Sequence, residues 1–432
     1  MRTQVLACVF AATLFSVSGC STAAAPTPSY GSGAGAPTLA QITPLLERHA
    51  HAVLARSSSR FLADVDAAAA ASTFRQSQAA QVSALAVVPL RVWSYSVSSP
   101  VTDLAAVRAA ARRFGAPASI VHLTLSYALD PVDPAAVTHD LWWTFVRRHG
   151  HVYVAGDSDM AGLGGQSWKG PWDFGPLVVH RGASSLVLGH PGDAGALAAI
   201  SAGVDDAVAA VTAVWGPGWN RQVAVIVPGS AAEFAAMGGT RGRTGSTGSA
   251  SLGGDVSAET VFETANGTDS AARVLMNPAV LNSLTATGRA IVLRHEITHV
   301  ATEASTPIGT PTWLVEGFAE YVGNLGSGQS VPTAAGELRA EVRAGDLPAA
   351  LPSESDFAST TRLAAVYEQA WLACRFIAAR AGQSGLVQLY RLVGASLDPA
   401  AVAVSTAFRT VLHESVPAFT GQWRAYVAAE LR

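Results

Sequence analysis

His295-Glu296-Ile297-Thr298-His299 constrains this chain more than any other feature of it. It sits in a largely apolar, proline-free run from Arg289 to Thr302, which predicts one buried helix. Residues four apart on a helix share a face, so His295 and His299 can offer two imidazoles to one tetrahedral metal ion. Glu296 lies one position further round and can reach a water beside that ion without ligating it. Two histidines leave a catalytic zinc one protein ligand short, and the usual third ligand is a carboxylate. The fold therefore has to bring an acid against this helix.

The next helical pattern supplies one. Thr310 is placed to cap it and Pro311 suits its first turn. Trp313-Leu314-Val315-Glu316-Gly317-Phe318-Ala319-Glu320-Tyr321 follows, with an end expected near Gly323-Asn324. Glu316 and Glu320 are four apart and face the same way. An acid among Leu, Val, Phe and Ala is costly to bury unless it is paired or bound to metal.

With both motifs in view, the chain from Pro176 to Arg432 resembles the gluzincin zinc metallopeptidases, in the peptidase-MA-like branch that includes the aminopeptidase N type. The resemblance implies one Zn2+ held by His295, His299 and Glu316, with Glu296 as general base. It implies that Glu320 accepts from a zinc-ligating histidine and orients it. Tyr367, in Val366-Tyr367-Glu368-Gln369-Ala370, falls where such enzymes carry a tyrosine that donates to the oxyanion. The bland alternative for Tyr367 is packing at a helix end. The gap from His299 to Glu316 is slightly shorter than in the aminopeptidases, so a tighter connection is expected. The strand expected from Arg273 to Asn277 corresponds to an edge strand that pairs with extended substrate. Here Met276-Asn277 lacks the glutamate that holds a substrate N-terminus in aminopeptidases, so the substrate-binding residues stay unassigned.

The function this implies is hydrolysis of a peptide or protein substrate. Two other readings stand beside it: a ligand-binding surface lipoprotein with an inactive peptidase-like domain, and a zinc hydrolase acting on a non-peptide bond. Zinc without turnover would favour the first. The other histidines (His49, His51, His122, His139, His149, His151, His180, His190 and His413) show no ligand spacing and read as surface or core residues.

The N-terminus places the protein. Arg2 followed by the apolar stretch Val5 to Val17 reads as an export signal, too short for a comfortable membrane span. Val17-Ser18-Gly19-Cys20 resembles a bacterial lipobox, which implies lipidation of Cys20 and a membrane partner. The alternative is a plain secretion signal. Cys8 would leave with the signal, so Cys374 has no intramolecular partner and reads as core filler. No second apolar stretch of membrane-spanning length is expected. The protein is therefore expected to be exported and lipid-anchored, on the outer face of the cytoplasmic membrane or at the outer membrane. Net charge is −3, which argues against nucleic acid as a partner.

The chain of 432 residues divides into a signal (1–19), a Pro/Gly/Ser-rich tether (20–37), an α+β domain (38–156), a linker (157–175) and an α+β peptidase-like domain (176–432) with a mostly helical end. In 38–156, helical spacing gives way to alternating strands around Trp93, Leu123, Trp143 and Tyr153, with a turn at Arg148-His149-Gly150-His151. That order resembles the NTF2-like cone fold, for which a docking or spacer role is the plainer alternative to ligand binding. Trp168 and Trp172 in the linker are expected to pack on a neighbour. A hairpin is expected around Pro176 to Leu188, a helix from Asp193 to Val214, a strand at Val223 to Val227 and a mobile loop from Met237 to Gly254.

Overall fold

The computed structural model describes residues 35–238, 257–265, 269–281, 283–358 and 361–432. The signal, Cys20, the tether up to residue 34 and most of the expected loop from Met237 to Gly254 lie outside the described residues. The described residues form an α+β fold with two sheets.

Helices α1 (Leu39–Leu54), α2 (Ser58–Ala63) and α3 (Ser72–Leu85) precede β1 (Leu90–Pro100). A helix that the sequence reading did not anticipate, α4 (Leu104–Phe114), separates β1 from β2 (Ala118–Leu129). Its buried stripe is mainly Ala106 and Ala110, which blurs the apolar period. Its end signals are nevertheless plain: Asp103 accepts the N–H groups of Ala105 and Ala106, and Gly115 closes the helix at φ 60°. Strands β3 (Val137–Arg148) and β4 (His151–Gly156) complete an antiparallel meander in the order β1-β2-β3-β4. His149 and Gly150 both take positive φ, 50° and 82°, in the tight β3–β4 turn.

The second sheet has the order β5-β6-β7-β9-β8. Its strands are β5 (Val178–Arg181), β6 (Ser185–Gly189), β7 (Val223–Ile226), β8 (Ala258–Ala265) and β9 (Asp269–Met276). β6, β7 and β9 run parallel, and β5 and β8 are antiparallel to their neighbours. This corrects one expectation. The strand at Arg273 to Met276 is β9, inside the sheet between β7 and β8, and the outer strand is β8.

α5 (Ala194–Trp215) joins β6 to β7. It is long and apolar enough to cross a membrane by composition, a stretch that the sequence reading did not count. Here it is a core helix: Leu197, Val204, Val208 and Val211 are buried in one cluster with Val187, Val225 and Leu293. Its Asp205 accepts the N–H groups of Ala183 and Ser184 at 2.8 Å each. Short α6 (Ala231–Met237) and α7 (Pro278–Leu281) flank the β8–β9 hairpin. The rest is helical: α8 (Ala286–Thr302), α9 (Thr312–Asn324), α10 (Val331–Ala334), α11 (Gly336–Ala344), α12 (Glu354–Phe357), α13 (Leu363–Gly394), α14 (Ala400–Val411) and α15 (Val416–Leu431).

The second sheet is covered on both faces. Val187, Val225, Val274 and Met276 pack with Leu293, Ile297 and Phe318 from the helices. Leu186, Leu188, Ala224 and Ala271 share a core with Leu123, Leu125, Tyr127 and Trp143 of the first sheet. From residues 157–175, Trp172 is buried in that shared core and Trp168 packs against it. Trp172, 1% exposed, lies edge-on to Trp93 and Tyr127 at 5.3 and 5.2 Å.

A buried ion cluster ties the two sheets together. Arg273 on β9 makes two 2.7 Å bonds to Asp133 and lies 3.1 Å from Glu263. Tyr127 donates to Glu263 at 2.7 Å, and His139 Nε2 is 3.2 Å from it. Burial alone would raise the Glu263 carboxyl, but Arg273 and His139 hold it down, at about 2. Arg273→Met strands two buried carboxylates, so urea unfolding should show a loss of about 3–5 kcal/mol. A loss below about 1 kcal/mol would contradict a structural role for the cluster.

Candidate metal centre

α8 carries His295, Glu296 and His299. Thr285 accepts the Gly288 N–H at 3.0 Å and starts the helix at Ala286. α9 carries Glu316 and Glu320. Its start departs from expectation: Thr310 donates to the Pro307 carbonyl instead of capping, and the helix begins at Thr312. The cap comes from a distant segment, because Glu354 on α12 accepts the N–H of Thr312 at 2.9 Å and also its hydroxyl. The helix ends at Asn324, where the sequence placed its stop.

Two glycines let α9 lie close to its neighbours. A Cβ on Gly317 would come within 2.3 Å of the Ala370 carbonyl oxygen, so the backbones of α9 and α13 touch beside Glu316. A Cβ on Gly323 would sit 3.0 Å from the Ile291 carbonyl of α8. Glu316 and Tyr367 are thereby drawn towards the histidines.

His295, His299 and Glu316 are all buried, and each offers one ligand atom within 4.8 Å of the others. Glu316 Oε2 lies 3.3 Å from His295 Nε2 and 3.4 Å from His299 Nε2, and the two nitrogens are 3.0 Å apart. A tetrahedral zinc with bonds of about 2.0–2.2 Å needs ligand atoms roughly 3.3 Å apart. Glu316 Oε2 is fully buried and accepts no well-formed hydrogen bond. A buried carboxylate oxygen without a donor suits a cation. The donor set and this orphaned oxygen therefore fit zinc.

The electrostatics agree. Burial pushes the Glu316 carboxyl up, but the His299 and His295 rings outweigh it and hold it well below the usual carboxylate range. Burial opposes charge on His295, yet its contacts with Glu316 and Glu320 hold it well above the usual imidazole range. Glu320 Oε1 lies 3.3 Å from His295 Nδ1, and Asn324 donates to Glu320 Oε2 at 3.1 Å. Tyr367 on α13 stands with its ring 6.4 Å from the His295 ring, braced edge-on by Phe357 at 5.4 Å. Glu368, beside it, caps α11 by accepting the Leu338 N–H at 2.6 Å.

The sequence reading missed what β8 brings to the site. Thr260 donates to Glu296 Oε2 at 2.6 Å. Burial and the nearby Glu296 charge push the Glu259 carboxyl up to about 7. The segment Ala258-Glu259-Thr260-Val261-Phe262-Glu263 lacks clean apolar alternation, and its contact with Glu296 spans 36 residues, so no local signal marks it. Glu259 has a measurable consequence. Unfolded, it ionises near 4.5; folded, it keeps its proton to about 7. The metal-free protein should therefore lose stability as pH rises through that window. Glu259→Gln should remove this loss, worth on the order of 3 kcal/mol above pH 7 by urea unfolding, and leave stability near pH 4 unchanged. Equal pH dependence in the two proteins would contradict the placement of Glu259.

Cys374 is fully buried and its thiol is pushed up by burial, as befits a core residue. Among the other histidines, His122, His139 and His190 each meet one carboxylate. Among the described residues, His295, His299 and Glu316 form the one group of three potential ligands.

No protein-family model matches the chain, and no curated protein matches it. Among solved structures, it is similar to the crystal structure of an M1 zinc metallopeptidase mutant from Deinococcus radiodurans, at 14% identity and a TM-score of 0.30. That alignment covers 67% of this chain and 59% of the other. A two-domain M1 zinc metallopeptidase mutant bound to L-arginine matches at the same identity and TM-score, with 67% and 58% covered. The chain thus spans somewhat under three fifths of the length of these structures. A TM-score of 0.30 marks only a loose likeness of shape.

Proposed function

We propose that this chain is a zinc metallopeptidase that hydrolyses peptide bonds outside the cytoplasm. The observation that carries the reading is the meeting of His295, His299 and the orphaned Glu316 oxygen, with Glu296 beside them. His295, His299 and Glu316 would hold the zinc. Bound there, zinc supplies Lewis acidity, which lowers the pKa of water and polarises a carbonyl. Glu296 takes a proton from the attacking water and passes it to the leaving amine. Tyr367 donates a hydrogen bond through its hydroxyl to the oxygen on which charge develops. Glu320 accepts from His295 Nδ1–H, which turns the Nε2 lone pair towards Glu316 and His299.

The outer position of β8 beside Glu296 supports a peptide over another substrate, because an extended chain can add to a sheet edge through its backbone. Lipid on Cys20 and the tether of residues 20–37 would hold the enzyme on the outer face of the cytoplasmic membrane, or at the outer membrane. Residues 38–156, read as NTF2-like, would serve as a docking or spacer unit. The test is a peptide library incubated with zinc-loaded protein and read by mass spectrometry. Cleavage should stop with a chelator and return with added zinc. Intact peptides beside folded, zinc-loaded protein would contradict the reading.

A further inference from the structure

We propose that Thr260 is a positioning residue for the Glu296 carboxylate, and that β8 is thereby part of the base's machinery as well as a wall of the site. The proposal deepens the peptidase reading and rests on it only for its kinetic consequence. Thr260 is 3% exposed and Glu296 is equally buried. The Thr260 hydroxyl lies 2.6 Å from Glu296 Oε2 and 3.2 Å from the Glu296 carbonyl oxygen. A hydroxyl has one proton to give, and the short contact to the charged oxygen takes it. The Thr260 hydroxyl engages Oε2, which leaves Oε1 as the oxygen to accept a proton. The two oxygens of the base are therefore not equivalent, because one is tied to the sheet by the Thr260 hydroxyl.

The tie is stiff at both ends. A β-branched residue in a strand has few χ1 choices, so the hydroxyl is aimed by the backbone. Thr260 pairs with Val274 on β9, which is fully buried in the core that also holds Ile297 of α8. Glu296 sits in the middle of α8, between two residues whose own side chains are fixed by packing and by Glu316. A carboxylate on a three-bond stem would otherwise sample several rotamers, and misplacement of a reacting group by about 1 Å costs on the order of 100-fold in rate.

The experiment compares wild type, Thr260→Val, Thr260→Ser and Thr260→Ala as zinc-loaded full chains. Crystal structures of each read the Glu296 conformer, and peptide hydrolysis reads kcat and KM separately. Expected are a single Glu296 conformer in wild type and Thr260→Ser, and several in Thr260→Val and Thr260→Ala. Expected kinetics are a kcat about 10- to 100-fold lower for Val and Ala, at unchanged KM and zinc content, with Ser restoring most of the rate. A single, unmoved Glu296 conformer in both hydroxyl-free variants would overturn the proposal. Wild type that binds zinc but cleaves nothing would sink the peptidase reading, and the Glu296 conformers would still decide the role of Thr260.

Discussion

Glu296→Gln should leave zinc in place and lower turnover by about 10²–10⁴. Glu296 is no ligand of the centre: its carboxylate is held by Thr260, not by His295, His299 or Glu316. Glutamine has the same shape and can accept from Thr260 through its carbonyl, so packing is preserved. What it lacks is basicity at the oxygen that receives the proton. The variant should therefore match wild type in zinc content and thermal midpoint and differ in kcat. Wild-type turnover in Glu296→Gln would show that another group is the base.

Glu316→Ala should weaken zinc binding by more than about 100-fold, read by competition with a chelator, since loss of a partner that merely supports a ligand costs 10–100-fold. Glu316 is 1% exposed and sits among Trp313, Leu314, Phe318 and Ala319, all buried. The thermal midpoint of the metal-free variant, read beside metal-free wild type, separates loss of a ligand from loss of the fold, because the truncation leaves a cavity beside two buried histidines. Zinc affinity within about threefold of wild type would mean that Glu316 is not a ligand.

Much of this site was legible because it is written in local periods. His295 and His299, and Glu316 and Glu320, are pairs four apart on proline-free helices, and that spacing alone puts each pair on one face. The hairpins at His149-Gly150 and around β5–β6 are likewise local. What the sequence withheld depends on chain segments that meet only in three dimensions. Glu354 replaces the expected Thr310 cap from 42 residues downstream of Thr312. The Arg273–Asp133 pair spans 140 residues, and nothing in either segment announces a buried charge. The outer position of β8 is a matter of strand order, which residue patterns do not encode. α4 shows a different failure, in which alanine fills the buried stripe and only the caps speak.

The central claim is that His295, His299 and Glu316 bind zinc. Elemental analysis of the folded protein, purified without added metal and again after dialysis against zinc, tests it most directly. The account predicts about one zinc per chain. Folded protein that holds none, before or after dialysis, would contradict it.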